Sequence, residues 1–176
     1  MNKQIISRRK FVKESIASGI GIAVSPALTN RIVDLWAARA ERGTAALNLH
    51  QMMTVAAVAA QIIPTDDLPG AREAGVVEYI NAKLNEISLL LPLYEEGVKE
   101  TDAVSESRFH GKFISLTPPQ QIEVLKSIEK SPFFTQVWKD TVEGFTRSWT
   151  GKKVVGYPGG AQPHGYHDVA APPKST

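Results

Sequence analysis

Two groups of side chains in this 176-residue sequence have the types and spacing to do chemistry. Asp66 and Asp67 are neighbours in the stretch Ile62-Ile63-Pro64-Thr65-Asp66-Asp67-Leu68-Pro69-Gly70-Ala71. A carboxylate pair can hold a cation or exchange a proton with a substrate. His164 and His167 follow a His-x-x-His spacing with Asp168 beside them, a pattern that can ligate zinc. Each group also has a plainer reading. The aspartates can satisfy turn and cap N–H groups, and no histidine or third carboxylate lies within a few residues of them. The histidines stand on a glycine-containing strip with no helical pattern, where hydrogen bonding in a packed tail accounts for them. No Gly-rich phosphate loop, G-x-S-x-G elbow or HExxH motif is present. With no cysteine, the chain forms no disulfide, thiolate nucleophile, Fe–S cluster or c-type haem attachment. No catalytic, metal or cofactor-binding residue is therefore assigned, and no cofactor is expected in this chain.

The elements around the aspartates are helical. Pro64 lacks an N–H and pushes the residue before it out of the α region, so a helix arriving through Val58, Ala59 and Ile62 must stop there. Asn48 with Gln51 three residues on is a capping-box start for that helix, whose apolar stripe is Met52, Val55, Ala56, Ala59, Ile62 and Ile63. After the acidic elbow, Val76, Val77, Ile80 and Leu84 recur at helical spacing, predicting a helix over 73–85. The apolar run Ser88 to Pro92 precedes a charged helix from Leu93 to Arg108. Tyr94, Val98 and Val104 face inward there, while Glu95, Glu96, Lys99, Glu100 and Glu106 form a solvated face. Gly111 is placed to close it. Thr117, Pro118 and Gln120 fit N-cap, N1 and N3 of a helix buried through Ile122, Leu125 and Ile128. Ser131-Pro132 repeats the device, starting a helix to Gly151 that carries Phe133, Phe134, Val137, Trp138, Val142, Phe145 and Trp149. Trp36 stands on a short helix from Asn30 to Arg42, or on a linker. The fold class is all-α, about five or six helices, in a domain over 28–151. An extended Gly/Pro-rich arm over 152–176 follows, whose Tyr157 and Tyr166 suit docking onto another surface.

The charge has a single source. Of 20 basic and 18 acidic side chains, five and one fall in residues 1–27, leaving 15 basic against 17 acidic in the remainder. Without a basic patch on the domain there is no electrostatic case for nucleic-acid binding. Ser7-Arg8-Arg9-Lys10-Phe11-Val12-Lys13 matches the twin-arginine export pattern, and a weakly apolar segment from Ile16 to Leu28 follows it. Small residues at Ser25 and Ala27 complete a signal peptide over 1–27, cut after Ala27. A cut after Ala40, with Ala38 at −3, or retention as an anchor are the alternatives. The twin-arginine route carries folded cargo, yet a chain without a cofactor motif has little reason to fold before export. The signal then serves a cofactor-loaded companion.

The leader, the block Ile62 to Val76, and the Phe133-Phe134 helix followed by Gly156-Tyr157-Pro158-Gly159-Gly160 together resemble the gluconate 2-dehydrogenase subunit 3 family. The likeness covers most of residues 48–166. It implies a small subunit of a bacterial flavin-dependent sugar or alcohol dehydrogenase, with FAD on a large subunit of the glucose-methanol-choline type and a cytochrome c as common electron acceptor. It further implies an escort that takes the large subunit through the twin-arginine translocon to the periplasm, and no catalytic residue here. The residues expected at the partner interface are Pro64, Asp66, Asp67, Trp138, Phe145, Trp149, Tyr157 and Tyr166, and Arg8, Arg9 and Phe11 carry the export signal. A free-standing periplasmic helical binding protein, and an acid–base or metal enzyme using Asp66 and Asp67, are the rival readings.

Overall fold

The computed structural model describes residues 31, 33–38 and 45–157, among which there is no strand. Residues 33–38 are helical, and six bounded α-helices follow: α1 Leu49–Ile62, α2 Val76–Glu86, α3 Leu91–Phe109, α4 Pro118–Ile128, α5 Pro132–Arg147 and α6 Trp149–Val154. The all-α expectation is met. Among the described residues no helix is long and apolar enough to cross a membrane.

The helix starts follow their caps. Asn48 Oδ1 accepts the Gln51 N–H at 3.0 Å while Gln51 Oε1 accepts the Asn48 N–H at 2.8 Å. Gln120 Oε1 reaches back to Thr117 N at 3.0 Å, and Ser131 Oγ accepts the Phe134 N–H at 3.1 Å. α1 is the centre of the bundle, packed on α2, α3, α4 and α5. Met52, Val55 and Val58 are wholly buried, and the partly covered Ala56 packs against that core. α3 and α5 meet at Tyr94 and Phe133, edge to face with ring centroids 5.7 Å apart. Gly97 makes that approach possible, because a Cβ there would fall 2.0 Å from Phe133 Cγ.

The structure moves several boundaries. α2 begins at Val76, after Gly75 at φ +70°, because residues 71–75 are spent closing the elbow. α3 runs through Phe109, so the left-handed position falls on His110 (φ +56°) and not on Gly111. On α4 the buried stripe is Gln121, Val124, Leu125 and Ile128, and Ile122 is 42% exposed. Gln121 sets that register: its Nε2 donates to the Phe113 carbonyl at 3.0 Å and its Oε1 accepts from Gln61 at 2.8 Å. The long aromatic helix expected up to Gly151 is two helices. Ser148 takes an extended conformation (ψ 153°) and caps α6 by accepting the Gly151 N–H at 2.8 Å, so the helical body runs to Val154, past the expected start of the tail.

Candidate partner interface

The elbow is a closed loop. The Ala71 N–H donates to the Ile63 carbonyl at 2.9 Å across its neck, and Asp66 Oδ1 accepts the Leu68 N–H at 2.9 Å, an Asx turn. Glu73 Oε2 accepts both the Thr65 hydroxyl at 2.7 Å and the Gly70 N–H at 2.9 Å. A Cβ on Gly70 would lie 2.6 Å from the Ile63 oxygen, so the loop closes only on glycine. Pro64, Asp66, Asp67 and Leu68 are thereby held on the surface. Asp66 is a turn residue, and among the described residues no three His, Asp or Glu side chains gather to hold a metal ion. His164, His167 and Tyr166 lie outside the described residues, as do Arg8, Arg9 and Phe11.

α6 comes back beside this loop, with Thr150 Oγ1 3.5 Å from the Glu73 carbonyl oxygen. The elbow and the short helix therefore belong to one face. Large apolar side chains stand out from it and from neighbouring helices: Leu68 54% exposed, Trp138 50%, Trp149 72% and Tyr157 53%. Lys153 Nζ sits 5.8 Å from the centre of the Trp149 ring. Phe145 must be withdrawn from the expected contact surface. The break at Ser148 folds α6 onto the end of α5, placing Gly151 where a Cβ would lie 3.0 Å from the Phe145 ring, and Phe145 is 6% exposed in the core.

Sequence reasoning missed the buried polar ties. His50 Nε2 lies 2.5 Å from Asp102 Oδ2, and Asp102 Oδ1 accepts the Phe113 N–H at 3.1 Å, fastening α1, α3 and the turn at Phe113. The Thr54 hydroxyl donates to the His50 carbonyl at 3.0 Å and not to the ring, so this His–Asp pair activates no hydroxyl there. Burial works to raise the Asp102 carboxyl, but His50, the Phe113 N–H and Lys112 outweigh it and hold it below the usual range. Glu73 is also lowered: burial is opposed by the Thr65 and Gly70 hydrogen bonds and by Arg72. Groups depressed in the folded state add stability that is present above their unfolded pKa values and is lost as pH falls through the folded ones. Thermal melts between about pH 7 and 3 should accordingly stay level down to about pH 5 and decline below about pH 4. Asp102→Asn should flatten that acid limb, and a limb unchanged in the variant would remove Asp102 from the account.

Beside Trp36 a cleft of about 20 Å³ lies between Ala56, Ala59, Ala71 and Val77. That is room for about one water, against roughly 300 Å³ for a small ligand site. Compared with known families, residues 49–160 match the model of Gluconate 2-dehydrogenase subunit 3. No curated protein and no solved structure matches the chain.

Proposed function

Because the chain belongs to the gluconate 2-dehydrogenase subunit 3 family, we propose that it is a non-catalytic accessory subunit that binds and escorts a flavin-bearing dehydrogenase. The catalytic partner carries FAD, is of the glucose-methanol-choline type and oxidises a sugar or related alcohol. The twin-arginine leader around Arg8, Arg9 and Phe11 takes the pair to the periplasm, where a cytochrome c subunit can accept the electrons.

The observation that carries this reading is the exposed aromatic set. Trp149, Trp138 and Tyr157 stand half or more out of a domain that covers its other described aromatics partly, as Tyr79, Phe109 and Phe134, or almost wholly, as Tyr94, Phe113 and Phe133. Tryptophan and tyrosine are the usual anchors of stable interfaces, and an elbow tied at both ends presents its surface without an ordering cost. The test is capture of the C-terminally tagged chain from the periplasm of its host, with an absorption spectrum of the eluate. A second, larger band with flavin absorption is expected, and dye reduction with a sugar panel then identifies the substrate. A colourless single band would sink the escort reading.

A further inference from the structure

We infer that the exported form of this chain keeps Trp36, so that the leader is removed before Val33, at Ser25-Pro26-Ala27 and not at Ala38-Arg39-Ala40. The inference rests on the export reading above. Both sites offer the small-x-small pattern that signal processing needs, and the sequence puts the first ahead with the second as its alternative.

The packing of residues 33–38 chooses. Val33 and Trp36, three residues apart on one helical face, are 8% and 7% exposed, while Leu35 on the opposite side is 60% exposed. The indole forms one wall of the small cleft whose other walls include Ala56 and Ala59 of α1 and Ala71 at the elbow neck. Its Nε1 donates to Glu78 Oε1 on α2 at 2.9 Å. A cut after Ala40 would strip this ring from the domain and leave three alanines, Val77 and an unpaired Glu78 carboxylate facing water. It would also require a protease to take residues 38–40 in extended form, yet Ala38 is in the helix that Trp36 pins down. Cargo of the twin-arginine route is folded before it meets that protease, so the docked helix is the substrate presented, and packed helices resist cleavage. Ser25 to Ala27 precede every described residue docked on the domain.

The test is the intact mass of the tagged full-length chain recovered from the periplasm. A chain beginning at Leu28 bears the inference out, and an exported chain that still begins at Met1 overturns it. A periplasmic chain beginning at Glu41 overturns it and leaves the export reading standing. An unprocessed chain confined to the cytoplasm, indifferent to Arg8→Lys with Arg9→Lys, overturns both. A second measurement is independent of export. Trp36→Ala should lower the melting temperature of the purified protein by roughly 10 °C, with Trp36→Phe between the two. An unchanged melting temperature would mean the segment is no part of the domain and would overturn the inference.

Discussion

Replacing Asp140 by alanine should destabilise the domain by about 3–5 kcal/mol, the largest loss expected from any single polar side chain here. Asp140 is 1% exposed, and three groups converge on it. The Tyr94 hydroxyl donates at 2.7 Å, Lys83 Nζ at 2.8 Å and Gln136 Nε2 at 3.0 Å, joining α2, α3 and α5 through one carboxylate. Tyr94 is wholly buried, and burial together with the Asp140 charge raises its pKa and keeps it a neutral donor. Without Asp140 that hydroxyl has no acceptor, at about 1–3 kcal/mol, and the charge-assisted bonds are lost as well. Desolvation works against the Lys83 charge, but the bonds to Asp140 and Glu143 outweigh it and hold its pKa above the ordinary lysine range. The lysine thus offers an internal control. Its other acceptor, Glu143 at 2.7 Å, is on the surface and also serves Arg147, so Glu143→Ala should cost far less. Urea unfolding of the two variants decides. Equal losses would mean that the network is a surface feature and that burial of Asp140 carries no special weight.

That network also shows which part of the fold could be read from sequence. Proline, caps and apolar spacing act locally, so both ends of α1 and the starts of α4 and α5 were legible from Asn48, Pro64, Thr117 and Ser131. Polar residues that face inward carry no such signal. Asp102 and Asp140 lie on helices whose other charges are solvated, and only the packing of distant helices turns them into the core. The same reason hid Thr101 and Ser105 on α3, each buried and bonded to the carbonyl four residues back. The break at Ser148 was partly visible, since a serine three residues before a glycine can cap a new helix. It was masked by Phe145 and Trp149, whose spacing suits an unbroken one. Of the candidate surface, the acidic elbow and the tryptophans were legible by type. That Glu73 closes the elbow, and that Phe145 turns inward while Trp149 turns out, needed the return of α6.

This last distinction gives the second large effect. Trp149→Ala should weaken capture of the proposed dehydrogenase partner by roughly 30-fold or more, the scale of an interface anchor at about 2 kcal/mol or above. It should leave the melting temperature of the isolated subunit nearly unchanged, because the side chain is already 72% exposed. Phe145→Ala reverses the pattern. Four residues earlier in the chain and 6% exposed, it should cost about 3–5 kcal/mol of stability as a core truncation and affect capture only through the fraction unfolded. Two aromatic truncations on adjoining helices therefore separate surface from core when binding and melting are measured on the same samples. Asp67→Asn on the elbow joins the test, since Asp67 is exposed and its charge would be read by a basic partner surface in the association rate more than in the dissociation rate. If Trp149→Ala binds as tightly as the parent, the face formed by α6 and the elbow is not the contact. The anchor must then be sought at Trp138, on α5, whose truncation should produce the loss that Trp149 failed to show.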